Sequence, residues 1–219
     1  MFAAPSPADL SGCPEPDAER VAARFDACFA TQADPWRYRT SWYEARKRAL
    51  LLAALPKPHF RSAFEPGCAN GELSAALAPR CERLLCADFA PHALAAARRR
   101  LAPFPHVRVE ARTLPRDWPD GRFDLVIVSE IAYYLDAVHC AALARRACAA
   151  LEADGVLACC HWRHGASDFR LDCAGVHAAF VALARSAALR QVIHAEDADF
   201  MLDVWSADPL TVAQRERRA

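Results

Sequence analysis

Glu65, Gly67, Cys68, Ala69 and Gly71 fall together in the stretch FEPGCANGELSAALA, where an acidic residue and two glycines stand directly ahead of good helix formers. Such a turn lets the backbone approach a ligand closely, because glycine tolerates conformations that a side chain forbids. It is not a phosphate-binding loop, since the chain has no string of Gly, four residues, Gly, Lys and then Ser or Thr. Nor does it read Gly-x-Gly-x-x-Gly. The order is acid-x-Gly-x-Ala-x-Gly, and a carboxylate beside a pyrophosphate would repel it. The turn suits a cationic ligand.

Two further strings carry groups able to move protons. SEIAYYL follows the apolar run FDLVIVS, so Ser129, Glu130 and Tyr134 emerge at the end of a strand, with Tyr133 either beside them or packed under the next helix. CCHWRH ends another apolar run. Strand alternation puts Cys159, His161 and Arg163 on one face and Cys160, Trp162 and His164 on the other, which argues against one tetrahedral metal cluster. No metal is expected. His161 is the better candidate for a general base, because an imidazole titrates near working pH and lies at the correct end of the strand. His164, Asp168, Asp172 and His177 surround a connection that either covers a ligand pocket or holds ordinary loop polars with a helix cap at Asp172.

The scaffold for these groups is written in the alternation of short apolar runs with helical ones. Strands over 61–65, 83–88, 107–111, 122–130 and 155–163 alternate with helices over 70–81, 90–102 and 138–152, which implies βαβ units with right-handed crossovers. A helix over 174–187 and strands over 189–196 and 199–207 predict an antiparallel finish. The fold class is α/β: a Rossmann-like doubly wound sheet, mostly parallel with an antiparallel C-terminal strand, and helices on both faces. Ligands of such sheets bind at the carboxyl ends of the strands, where the glycine turn, Glu130 and His161 fall. Upstream, the spacing predicts helices over 17–32, capped by Asp17, and over 40–55, with Ser41 as cap and Glu44 at the capping-box position. The connecting ADPWRYR is too aromatic for a solvated linker. Trp36 and Tyr38 are lid candidates there, whereas Trp42 reads as core.

At 219 residues, 54% hydrophobic and 25% charged, the chain can bury one substantial core. It divides into a disordered tail over 1–16, a helical lid segment over 17–60, one domain over 61–210 and a solvated tail over 211–219. Its 27 basic and 27 acidic residues give a formal charge of +0, so no global field draws it to nucleic acid or an anionic membrane. Ten scattered cysteines with no CxxC pair read as small core hydrophobes in a reducing cytosol. No apolar run approaches the ~18 residues of a membrane span, and the N-terminus lacks signal-peptide regions. A soluble cytoplasmic protein is expected, its oligomeric state open.

The ordered set of motifs resembles the class I S-adenosylmethionine-dependent methyltransferases. FEPGCANGELSAALA is similar to their glycine-rich motif, RLLCAD and FDLVIVSE to their second and fourth strands, and LEADGVLACC to the turn before the fifth. A closer resemblance, to the NodS-type N-methyltransferases that act on the free amine of sugar oligomers, lies in DPWRYRTSWYEARKRALLLAAL, FEPGCANGELSAALA and FDLVIVSEIAYYL, and covers residues 34–154. It implies S-adenosylmethionine as cofactor, with the turn from Glu65 to Gly71 near its methionine and ribose parts. Asp88, 17 residues past Gly71 and beside Phe89, then holds the ribose hydroxyls, its two acceptor oxygens suiting a vicinal diol. Many members carry an acidic residue after the third strand, where this chain has EARTLPRDW. Thr113 or Asp117 takes that role, or the adenine is gripped by backbone with Arg112 and Leu114.

Glu130 and Tyr134 are then expected to point toward the transferred methyl, with Ser129 among the cofactor contacts. Trp36 and Tyr43 flank the cofactor, and Arg46 either pairs with its carboxylate or shares a solvated helix face with Lys47. Catalysis falls to His161, Glu130 and Tyr134, acting on a small-molecule acceptor with an amino sugar or glycoconjugate amine preferred. An O-methyltransferase, or a cofactor-binding module without activity, would share the same cofactor residues.

Overall fold

The structure is a computed structural model describing residues 18–217. The tail expected over 1–16 and the cap expected at Asp17 lie outside the described residues. Seven strands form one sheet: β1 (Ala63–Pro66), β2 (Leu84–Asp88), β3 (Val107–Ala111), β4 (Phe123–Ser129), β5 (Leu151–Trp162), β6 (Arg190–Glu196) and β7 (Phe200–Ser206). Their spatial order is β3-β2-β1-β4-β5-β7-β6. Strands β1 to β5 pair in parallel, and β7 runs antiparallel to both β5 and β6. The order reverses between β1 and β4, the crevice where such sheets bind ligands.

The helices are α1 (Ala18–Thr31), α2 (Trp42–Ala54), α3 (Glu72–Leu77), α4 (Pro91–Leu101), α5 (Ala137–Ala149), α6 (Cys173–Ser186) and α7 (Val212–Glu216). They cover both faces of the sheet. Along β4, Leu125 and Ile127 join Leu51, Leu77 and Leu101 of α2, α3 and α4, while Val126 and Val128 join Leu143 of α5 and Phe180 of α6. A strand buried on both faces reads as the continuous apolar run seen here. Burying each large side chain contributes roughly 1.5–3 kcal/mol. A third, smaller cluster sets Phe29 of α1 against Ala90 and Ala93, with Phe25, Trp36, Tyr38 and Phe89 around it. That cluster seats α1 over the carboxyl edge of the sheet.

Several local expectations change. The helix expected over 138–152 ends at Ala149, and residues 151–154 instead begin β5, with a register shift against β4 between Phe123 and Leu125. Pro79 sits in a 3-10 turn that shortens α3. Ser41 has extended N-cap geometry but its side chain makes no capping bond, and Glu44 turns to Lys47. Trp42, read as core, is 77% exposed. The C-terminal segment contains α7, mostly exposed, with a Thr211/Gln214 capping box and Arg215 bonded to Asp208 and the Pro56 carbonyl. Among the described residues the cysteines are free thiols, and no helix is long and apolar enough to cross a membrane.

Candidate cofactor and active site

The turn after β1 is shaped by hydrogen bonds to its neighbour. Gly67 and Cys68 both donate to the Ala87 carbonyl of β2, at 2.7 and 2.9 Å, and Ala69 donates to Asp88 Oδ2 at 2.9 Å. Gly67, Ala69 and Gly71 all take positive φ, at 72°, 49° and 81°. For Ala69 that conformation costs on the order of 1–2 kcal/mol, offset locally by its bond to Asp88. A Cβ on Gly67 would stand 2.2 Å from Ile131 Cγ2, so the glycine is required by the close approach of the segment after β4. Gly71 does not line a cavity. It is the N-cap of α3, and a Cβ there would stand 3.3 Å from Ala97 Cα.

Two adjoining cavities open beside this turn. The larger, about 290 Å³, lies along the ends of β2 and β3, and Asp88, Phe89, Arg112, Thr113 and Leu114 line it together with Tyr134. Phe25 and Phe29 of α1 line it as well. The smaller, about 60 Å³, is lined by Glu65, Cys68, Ser129, Glu44 and Lys47. Tyr38, Gly67, Ala69 and Glu130 line both, so the two spaces meet at Glu130. Asp117, an alternative for the adenine, instead shapes the loop: its Oδ2 accepts the Thr113 N–H at 3.1 Å. Arg112 is held by Glu110 and by the Asp117 carbonyl.

The charges are arranged unevenly. Glu65 is buried, burial pushes its carboxyl up to about 7, and its Oε2 has no hydrogen-bond partner among the described residues. Lys47 Nζ lies 3.0 Å from both Glu44 Oε1 and Glu130 Oε1. Burial would depress the Lys47 ammonium, but Glu130 and Glu44 outweigh it and raise its pKa. Glu44 is itself pushed up by burial. The Tyr133 hydroxyl donates to Glu130 Oε2 at 2.5 Å, and Glu130 has φ +62°. Asp88 is raised by burial although Ala90 and Ala69 donate to it. Carboxyl groups outnumber cations around this junction, which favours a cationic ligand.

One residue outside the cavities organises their wall. Asp34 Oδ1 accepts the Tyr38 N–H at 2.8 Å and Asn70 Nδ2 at 3.0 Å, and its Oδ2 accepts the Arg39 N–H at 3.0 Å. The aromatic loop is thereby fastened to the glycine turn.

Several sequence assignments are corrected. His161, expected as general base, is fully buried away from both cavities, and burial holds its pKa well below the ordinary value. Its Nε2 accepts the Ala132 N–H at 3.2 Å and its Nδ1 faces Cys159 Sγ at 3.4 Å. Trp36 lines neither cavity and packs on Phe25, Phe29 and Tyr38. Arg46 faces outward, bonded to Asp197 at 2.7 Å, and its place toward the site belongs to Lys47. Tyr43 is one layer removed, its ring 4.9 Å from Lys47 Nζ. Lys47 could have been found by phase: Leu51, four residues on, marks the inward face of α2, and Leu50 and Arg46 the outward one. Asp34 and Ile131 act at positions with no pattern to announce them.

The orphaned Glu65 oxygen beside a glycine turn, and a carboxylate at the end of the neighbouring strand, fit an aminoacyl-nucleoside cation better than a phosphate. Fold and site together define a class I S-adenosylmethionine-dependent methyltransferase. The family profile of Nodulation protein S (NodS) matches residues 29–193, and the chain belongs to that family. Nodulation protein S of Bradyrhizobium diazoefficiens is 34% identical over 143 residues, spanning 61% of this chain and 68% of that protein. A Pseudomonas syringae protein solved as a candidate methyltransferase is 49% identical, with a TM-score of 0.66 over 76% of this chain and 99% of that one. N-methyltransferase NodS from Bradyrhizobium japonicum WM9, crystallised with S-adenosyl-L-homocysteine, gives a TM-score of 0.74 over 86% of this chain and 98% of that one. At 23% identity that last likeness is one of fold.

Proposed function

We propose that the chain methylates a nitrogen of a small acceptor, an amino sugar or glycoconjugate amine. The observation that carries this reading is Glu130, a carboxylate that lines both cavities and is braced by Lys47 and Tyr133. Membership of the NodS family, a solved protein of which is named an N-methyltransferase, supports nitrogen as the acceptor atom.

S-adenosylmethionine, when bound, supplies an electrophilic methyl on a sulfonium. Asp88 would hold its ribose hydroxyls, Glu65 its ammonium, and Phe89 with Leu114 its adenine. Phe25, Phe29 and Tyr38 exclude water from above and present aromatic faces to a cation, a contact worth ~0.5–2 kcal/mol. Within the segment expected as a lid over 17–60, α1 and the aromatic loop after it take that role. An amine must reach the site neutral, because a protonated nitrogen has no lone pair to donate. Glu130 accepts a hydrogen bond from that nitrogen, orients its lone pair and takes the proton it releases. Tyr134 walls the acceptor's approach.

The test is a panel of free amino sugars, their N-acetylated forms and simple alcohols, with products read by mass spectrometry. N-methylation of the free amines is expected, with Glu130→Gln lowering turnover about 10²–10³-fold while keeping affinity for S-adenosylhomocysteine. Methylation confined to hydroxyl groups would overturn the nitrogen assignment.

A further inference from the structure

Four buried side chains behind the cavities form a chain of hydrogen bonds from the antiparallel edge of the sheet to the turn that carries Glu130. Asp203 Oδ2 on β7 lies 2.6 Å from His177 Nδ1 on α6. His177 Nε2 faces Cys159 Sγ on β5 at 3.9 Å, and Cys159 Sγ faces His161 Nδ1 at 3.4 Å. His161 Nε2 closes the chain on the Ala132 amide at 3.2 Å. At the far end, Gln191 Nε2 and His194 Nδ1 approach Asp203 Oδ1 at 2.7 and 2.9 Å.

One order of protons satisfies every link. A backbone amide can only donate, so His161 Nε2 accepts. Burial keeps this imidazole neutral, which puts its single proton on Nδ1, donated to Cys159 Sγ. Burial likewise keeps Cys159 a thiol, and its proton points to His177 Nε2. His177 Nδ1 donates to Asp203 Oδ2. Burial would raise the Asp203 carboxyl, but His177 and His194 outweigh it and hold it low. Ligand atoms of Cys159, His161 and His177 lie within 4.8 Å of one another, yet a protonated Nδ1 offers no lone pair to a metal.

We propose that this relay positions Glu130, with His161 as the residue that transmits it. His161 fixes the Ala132 amide at the start of the 3-10 turn Ala132–Tyr134, and its ring packs edge-on against Tyr133 at 5.2 Å. Tyr133 in turn holds Glu130 Oε2. Cys159, His177 and Asp203 act through His161 by fixing its tautomer and orientation, as hydrogen-bonded second partners do for ring nitrogens generally. The inference rests on Glu130 being the acceptor-facing carboxylate.

The experiment compares His161→Gln, whose amide oxygen reaches the position of Nε2, with His161→Asn, which reaches only Nδ1, and His161→Leu. Asn and Leu should lower kcat about tenfold or more with little change in S-adenosylhomocysteine affinity, while Gln stays within about threefold. In the ligand-free protein, amide exchange at Ala132 should quicken about tenfold in Asn and Leu and stay slow in Gln. Should the Leu variant fail to fold, Cys159→Ala breaks the middle of the relay and should quicken the same amide. Unchanged Ala132 protection in every folded variant would overturn the proposal. So would a Gln variant as slow as Leu with Ala132 still protected, because His161 would then be a base in its own right. Stoichiometric zinc in the purified protein would also overturn it. Faster exchange in a protein that methylates no amine would uphold the tie to Ala132 and remove the assignment of Glu130 instead.

Discussion

Lys47 Nζ stands 3.0 Å from Glu130 Oε1, and the same ammonium neutralises Glu44 at an equal distance. Removing it strands two largely buried carboxylates. Lys47→Met should therefore destabilise the fold by about 3 kcal/mol, in the range for breaking a buried ion pair, whereas Glu44→Gln should be milder because Lys47 keeps Glu130. Urea midpoints decide this. Equal stability of Lys47→Met and the parent would mean that water already screens the cluster.

Asp88 is expected to bind without supporting the fold alone. Asp88→Ala loses ligand hydrogen bonds worth on the order of 1–3 kcal/mol, a loss of S-adenosylhomocysteine affinity of roughly 5- to 160-fold by calorimetry. It also frees Ala69 from the bond that holds its positive φ. Asp88→Asn, which keeps one acceptor oxygen, should fall between. Wild-type affinity in Asp88→Ala would remove this carboxylate from the binding site.

Gly67→Ala should act through Ile131, because the new Cβ meets Ile131 Cγ2 and not open space. The positive φ adds a penalty of roughly 1–2 kcal/mol. Pairing Gly67→Ala with Ile131→Ala should restore part of the lost stability in thermal melts, leaving the φ penalty. Strictly additive losses would show that the clash is absorbed elsewhere.

Glu65 makes stability and binding depend on pH. Its folded pKa, about 7, exceeds the ordinary 4.5, so the folded state binds the extra proton. The contribution is fully present below ~4.5, fades as pH rises through about 7, and amounts to roughly 3 kcal/mol at most. Glu65→Gln should flatten the stability profile in that window. A cation placed against Glu65 favours the carboxylate, so S-adenosylhomocysteine should release up to one proton on binding near pH 6. Calorimetry in two buffers of different ionisation enthalpy reads this directly, and identical heats would refute it.

The sheet was legible in the sequence because its signals are local. Each strand is a short apolar run, each crossover helix a periodic one, and FEPGCANG marks the first turn by glycine alone. Glu130 followed from the rule that ligands sit at carboxyl ends, and Asp88 from the resemblance to the methyltransferases. What failed depended on distant partners. His161 ends its strand as a base should, but the sequence could not reveal that α6 and β7 would bury it beside His177 and Asp203. Arg46 and Lys47 differ by one residue, or 100° of helix, and the choice needed Leu51 as a phase marker. Trp42 has a core residue's composition but begins its helix on the solvent side.

Asp34 divides the N-terminal segment into two parts that are held in different ways. By holding Tyr38, Arg39 and Asn70 together it ties the aromatic loop to the glycine turn by three hydrogen bonds. α1 is held by the packing of Phe25 and Phe29 and, around them, by exposed polar ties: Asp26 to the N-terminus of α4 through His92, and Arg24 to Asp168. Ties of that kind contribute little in water. The seat of α1 over the larger cavity accordingly rests on Phe25 and Phe29, whose rings both line that cavity, so a ligand filling it would tighten the contacts that hold the helix down.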